Sequence, residues 1–348
     1  MQKNYLTEIV IIRFILILLL VFYHAFAIYS GAWHPIEGFP DVQVYWWLDK
    51  ISYAFMLETF VFISGYVFGY QVRTKGESKL NAKSLFIGKF KRLIIPSMVF
   101  SLLYIMLLGN ITQPVGKTLY DMVNGYAHLW FLPMLFWCFV AVWIIEKFHI
   151  KPTIVIPLLL ICSIFSFVPL PIRMDKTLYY MVFFYVGYLL KRSDYNLGRF
   201  YASRFACVLI ASFIAIFTLL TLYVNNICEI ILLGNNLLIT KIIHLSLNNL
   251  SKLVYSSVGL AMLLVVVGIL EQARIKPFPQ WLIKVGALCM GVYLFQQFIL
   301  KGLYDHTDMP TILGPYWLPW VGFVIALIAS LLISYLLRHL SIGRFLIG

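Results

Sequence analysis

The stretch "VIIRFILILLLVFYHAF", residues 10 to 26, holds Arg13 and His24 inside an apolar run long enough to cross a bilayer, and the next such run holds Glu58. Ionisable side chains in hydrocarbon cost at least a few kcal/mol unless they face a partner or a water-filled cavity, so each is a functional-site candidate. Arg13 and His24 are 11 residues apart. That is three helical turns plus about 20°, which puts both on one face with roughly 16 Å between them along the axis. If the first helix runs outward and the second inward, His24 and Glu58 reach similar depth. A carboxylate there would orient the imidazole and favour its charged form. An imidazole so held is a general base for a hydroxyl attacking a carbonyl, and Arg13, His24 and Glu58 are therefore the candidate catalytic residues. Plainer roles stand beside these: Arg13 snorkelling to headgroups, His24 bonded to backbone, Glu58 as a structural partner.

The elements that must position these groups follow from composition. Hydrophobic residues make up 62% of the chain and charged residues only 12%, with mean hydropathy +0.89, so the chain is an all-α integral membrane protein. Lys and Arg outnumber Asp and Glu by 27 to 14, but a polytopic chain needs basic loops to set its orientation, and no nucleic-acid partner is expected. The five cysteines show neither a disulfide framework nor metal-ligand spacing, so no metal is expected. The first apolar run exceeds a signal-peptide core of about 7 to 15 residues and is expected to stay as the first helix.

Runs of about 20 apolar residues are the unit that spans a core of about 30 Å. Ten are expected, at 9–29, 51–70, 93–109, 129–145, 153–170, 178–190, 205–224, 253–270, 285–300 and 316–337. With the N-terminus inside, 19 basic residues fall in cytoplasmic segments, including Lys3, Arg199, Arg274 and Lys276. Six, Lys117, Arg173, Lys176, Lys241, Lys252 and Lys301, fall outside. This asymmetry predicts a bundle of about ten transmembrane helices with both termini cytoplasmic. The longest polar connections, 71–92 inside and 225–252 outside, are too short to fold around a core of their own. One transmembrane domain over 1–348, with no separate soluble domain, is the expected organisation.

These residues resemble the acyltransferase-3 family of membrane-bound O-acyltransferases that modify bacterial surface and exported glycans. The resemblance covers nearly the whole chain. It rests on Arg13 and His24 with ten residues between them, on "ETFVFISGY" with Glu58, Ser64 and Gly65, and on "KRLIIP" with Lys91, Arg92 and Pro96. The segment "HLWFLPML" is similar to the entry of the family's fourth helix, and "FYVGYLL" resembles its sixth. In "MGVYLFQQ", Gln296 stands where the family often has histidine, so no proton-transfer role is assigned there.

The resemblance implies transfer of an acyl group from cytoplasmic acyl-CoA, with acetyl-CoA the expected donor, to a hydroxyl of a cell-surface or exported polysaccharide or a lipid-linked saccharide. The implied location is the bacterial cytoplasmic (inner) membrane. In that setting the basic stretch containing Arg73, Lys91 and Arg92 suits the phosphates of coenzyme A, and Arg13 would position the donor. Ordinary positive-inside bias explains the same stretch equally well. His128 and Trp130, with His34, Glu37, Asp41, Trp33, Trp46 and Trp47 of the first outer loop, could bind the acceptor sugar or form an interfacial belt. Ser64 is read as a helix-packing residue. The competing reading is a multi-pass transporter or exporter of glycan or glycolipid, which would show repeat symmetry or broken helices; Pro133, Pro157 and Pro319 could break helices, but the sequence shows no internal repeat.

Overall fold

The computed structural model describes residues 7–109, 113–193, 204–231, 237–272 and 280–347. The positions Lys3, Arg199, Arg274 and Lys276 lie outside the described residues. All regular structure among the described residues is helical: α1 (Thr7–Phe26), α2 (Gln43–Tyr53), α3 (Met56–Lys75), α4 (Ala82–Lys89), α5 (Ile95–Leu108), α6 (Val115–Asn124), α7 (Phe131–Lys147), α8 (Pro152–Ile164), α9 (Met174–Arg192), α10 (Arg204–Ile231), α11 (Leu237–Gln272), α12 (Gln280–Ala287), α13 (Cys289–Asp305), α14 (Met309–Leu337) and α15 (Ser341–Ile347). Backbone groups in hydrocarbon must be satisfied within their own segment, and helices do this.

Among the described residues six helical stretches are long and apolar enough to cross a membrane, or seven if the bent pair α12 and α13 forms one span. The expected ten are not all present in that form. The fifth run yields only the 13-residue α8, because the chain turns after Ile164. The sixth, α9, is long enough at 19 residues, but Asp175, Lys176, Lys191 and Arg192 dilute its apolar character. The ninth is bent by 63° between Ala287 and Cys289.

Two connections expected as loops are mostly helical. Within 71–92, α3 continues to Lys75, a 3-10 turn covers Gly76–Leu80, and α4 and a π-helical turn at Phe90–Ile94 follow. Asn81 starts α4 by accepting a hydrogen bond from the Ser84 amide at 3.1 Å, the usual work of an N-cap asparagine. Within 225–252, α10 and α11 extend over much of the supposed loop. The 36-residue α11 would rise about 54 Å, well beyond a hydrocarbon core of about 30 Å. Its polar half is held by packing, since Asn249 donates to the Ile164 carbonyl at 3.0 Å and to Ser166 Oγ at 3.3 Å.

The described chain groups into two compact units. The first comprises Met1–Met56, Phe90–Pro133 and Ile275–Gly348, the second Leu57–Lys89 and Met134–Arg274. In the first unit α1 packs against α2, α12, α13 and α14. Ile9, Ile12, Leu16 and Leu20, spaced three or four apart, are buried, as one face of a core helix requires. In the second unit α3 and α9 meet through glycines. A Cβ on Gly65 would lie 2.0 Å from the Phe184 carbonyl oxygen, and one on Gly187 would lie 2.2 Å from that of Phe62. The approach needs residues without side chains, as in small-residue packing between membrane helices.

Candidate active site

His24 sits on the last turn of α1 and is buried. Its Nδ1 lies 3.0 Å from the Leu20 carbonyl oxygen. A carbonyl only accepts, so that nitrogen must carry the proton, which leaves Nε2 as a bare lone pair. Among the described residues no hydrogen-bond partner meets Nε2. The local backbone alone has thus set the tautomer a general base needs.

His128 is the neighbour of His24 within the first unit. Their rings stand 6.1 Å apart, centre to centre, in an edge-to-face arrangement. Expected at the membrane surface beside the fourth run, His128 is instead buried, at 7% exposure. It lies in a 3-10 turn, Ala127–Trp130, that leads directly into α7. Gly125 makes the turn possible. Its φ is +75°, and a Cβ there would sit 2.6 Å from the backbone of Leu129. The turn is pinned from two sides, by Tyr293 Oη donating to the His128 carbonyl at 2.7 Å and by the Tyr126 amide donating to Ser101 Oγ at 2.9 Å. The hydrogen-bond geometry satisfies neither ring nitrogen of His128, although Gln297 lies close enough to interact with the ring.

Aromatic rings enclose this pair. Trp33 lies 5.9 Å from His24, and Tyr293, Tyr104 and Phe298 surround His128 at 5.2, 6.1 and 6.4 Å. Tyr304 donates to the Ala25 carbonyl at 2.8 Å and so ties α13 to the turn that carries His24. Lys301 Nζ stands 4.5 Å over the Trp33 ring. Gln296 and Gln297 are both buried, and both amide atoms of Gln296 and Oε1 of Gln297 lack hydrogen-bond partners. Unmet buried polar atoms cost about 1–3 kcal/mol each, and of the two glutamines Gln297 is the one that reaches the His128 ring.

The remaining sequence candidates fall in different places. Arg13 is half-buried on α1 and interacts with Cys289 at the start of α13, beside the bend that follows α12. Lys91 and Arg92 are exposed in the π-helical turn of the first unit, and Arg73 is exposed on α3 in the second. Trp130 is half-buried next to Phe131, with ring centres 6.3 Å apart. Glu58 belongs to the second unit and is fully buried there. Its charge partner is Lys252, whose Nζ lies 3.7 Å from Oε1. Ser256 and Tyr179 are also close to the carboxylate. Lys252, expected at the end of an outer loop, is carried inside α11 with its ammonium 4.7 Å from the Tyr179 ring.

Sequence reading missed three residues. Tyr293 and Gln297 read as ordinary spacing in "MGVYLFQQ", although two adjacent glutamines in an apolar run are themselves a signal. Asp49, between the first two expected runs, is fully buried on α2 and acts electrostatically on Tyr23, the residue before His24.

A family model described as Acyltransferase domain, the acyltransferase-3 family, matches residues 6–339. No curated protein and no solved structure matches the chain.

Proposed function

The chain belongs to the acyltransferase-3 family, and from that premise we propose that it is an O-acetyltransferase taking acetyl groups from cytoplasmic acetyl-CoA to a hydroxyl of an exported or cell-surface glycan. The observation that carries this reading is His24 Nδ1 held by the Leu20 carbonyl, which leaves Nε2 as the acceptor, with the His128 ring 6.1 Å away, centre to centre. Nε2 takes the proton of the acceptor hydroxyl as its oxygen attacks the thioester carbonyl. The carbon–sulfur bond breaks, and the departing thiolate takes that proton back from the imidazolium. His128 and Gln297 are assigned to the acceptor hydroxyls, and Trp33 and Trp130 to the sugar face.

Arg13 is assigned to donor positioning, and Lys91 and Arg92, in the same unit, to the phosphates of coenzyme A. Glu58 meets an ammonium inside its own unit, and we assign it to the ion pair with Lys252. Both termini are placed on the cytoplasmic side, with an even number of spans in one transmembrane domain, from the asymmetry of loop charge. The membrane is taken to be the bacterial inner membrane.

The test supplies labelled acetyl-CoA to the cytoplasmic side of vesicles holding the purified protein and an oligosaccharide acceptor. Wild type should label the acceptor, and folded His24→Ala should not. Near-normal turnover by that variant would remove His24 as the base. The exporter reading is favoured by one observation, the 63° break between α12 and α13. It predicts saccharide flux across the same vesicles without any acyl-CoA.

A further inference from the structure

The second unit holds a cavity of about 600 Å³, a size suited to a small ligand. Its walls come from three segments expected on the cytoplasmic side. Asn81 stands at the start of α4, Trp143, Glu146, Lys147 and His149 at the end of α7 and the turn after it, and Arg192 on the last turn of α9. Two contacts fix these walls against one another. Phe86 of α4 meets Trp143 edge to face with ring centres 5.4 Å apart, and Arg192 forms an ion pair with Glu146. The chain leaves α7 through a left-handed His149, with φ of 51°. The amides of His149 and Ile150 close that turn by donating to the Glu146 and Ile145 carbonyls, both at 3.1 Å.

Charge limits what can occupy the cavity. Glu146 and Arg192 cancel each other, but Lys147 is not cancelled. Its ammonium lies 4.9 Å from the centre of the Trp143 ring and 5.8 Å from that of Phe148, and among the described residues it meets no carboxylate. Rings hold an ammonium in place without neutralising it. The His149 imidazole has no hydrogen-bond partner among the described residues. Asn81 uses its carbonyl oxygen on the Ser84 amide and keeps its NH2 group for a ligand. One uncancelled fixed charge with neighbouring donors matches an anion of single charge. Coenzyme A and nucleoside polyphosphates carry several charges and would stay largely uncompensated here.

The border of the cavity is apolar. Phe148 is 66% exposed, Ile144 41% and Ile150 38%, all of them chain neighbours of Lys147 and His149. A lipid bound there covers these side chains with its acyl chains, which a soluble anion cannot do. Basic pockets between helix ends on the cytoplasmic side of a membrane take lipid headgroups for this combination of charge and apolar border.

We propose that this cavity binds the headgroup of a singly charged anionic phospholipid. Lys147 meets the phosphodiester, His149 and Asn81 donate to its oxygens or to headgroup hydroxyls, and Trp143 packs against the glycerol carbons. The site lies within the second unit and does not depend on the acyl-transfer reading.

The test places the full chain in nanodiscs of mixed phosphatidylglycerol and phosphatidylcholine and reads the retained lipid by native mass spectrometry. Wild type should keep a phosphatidylglycerol in preference to phosphatidylcholine. Lys147→Gln should hold it about tenfold more weakly, from the loss of one charge-assisted contact, whereas Lys147→Arg should stay near wild type. Lys83→Gln removes an equal charge from an exposed position of α4 outside the cavity and should retain the lipid as wild type does. Both substituted side chains are exposed, so neither change threatens the fold. No preference in wild type, or equal retention by wild type and Lys147→Gln, would overturn the site. Equal loss in Lys83→Gln would overturn it too, since the attraction would then be diffuse. Coenzyme A and inorganic pyrophosphate are finally added to the lipid-loaded wild type. Unchanged retention supports a lipid, whereas displacement of phosphatidylglycerol would give the cavity to a soluble phosphate ester and overturn the proposal.

Discussion

The imidazoles of His24 and His128 face each other edge to face, 6.1 Å between ring centres and 71° between planes. One ring has its proton placed by a backbone carbonyl, and the other has both nitrogens unmet.

The two histidines should therefore fail differently. His24→Gln is expected to lower kcat by roughly 100- to 10,000-fold, the range for loss of a general base, with little change in acceptor KM. His128→Gln should act mainly on acceptor KM, because glutamine keeps a donor and an acceptor near the same place. Initial rates at varied acceptor concentration separate the two. A fall in kcat with unchanged KM for His128→Gln would make that residue a participant in proton transfer.

Arg13→Ala should raise the KM for acetyl-CoA by about tenfold, as expected for one lost charge-assisted contact, and leave the KM for acceptor unchanged. Unchanged donor dependence would return Arg13 to snorkelling at the headgroups.

The close approach of α3 and α9 predicts a stability effect independent of catalysis. Gly65→Ala and Gly187→Ala would place a methyl carbon 2.0 and 2.2 Å from carbonyl oxygens that belong to the facing helix. Each should cost about 1–3 kcal/mol or more through overpacking. Gly302→Ala, where a Cβ meets nothing within 4 Å, is the control and should be neutral or slightly stabilising in the helix. Thermal unfolding in a mild detergent reads all three, and equal midpoints would mean that the helices can part without penalty.

The Glu58–Lys252 pair should be asymmetric. Lys252→Met strands a fully buried carboxylate and is expected to cost roughly 2–4 kcal/mol. Glu58→Gln leaves an ammonium that is already partly exposed and should cost less. Glu58→Gln/Lys252→Met should recover most of the loss. Unfolding midpoints of the three variants close this cycle, and additive losses would show that the two charges do not stabilise each other.

The class of protein and the identity of its first buried imidazole were legible because both depend on local quantities. Hydropathy over about 20 residues predicts apolar helices, and Arg13 and His24 share a face because helical pitch is constant. The broken ninth run and the helical 225–252 segment were not legible. A bend after Ala287 and an asparagine that caps a distant carbonyl, as Asn249 does for Ile164, depend on neighbours remote in sequence.

The sequence by itself determined that this chain is a helical membrane protein of the acyltransferase-3 family, with an arginine and a histidine on one face of its first helix. Only the tertiary structure decided who stands beside whom. It brought His128, 104 positions further along the chain, against His24, and gave Glu58 an ammonium on α11 as its partner. The physical reason is range. Periodicity and burial are written into a segment a few turns long, but the partner of a buried polar group is chosen by which helices pack together, and that choice minimises unmet charge over the whole unit.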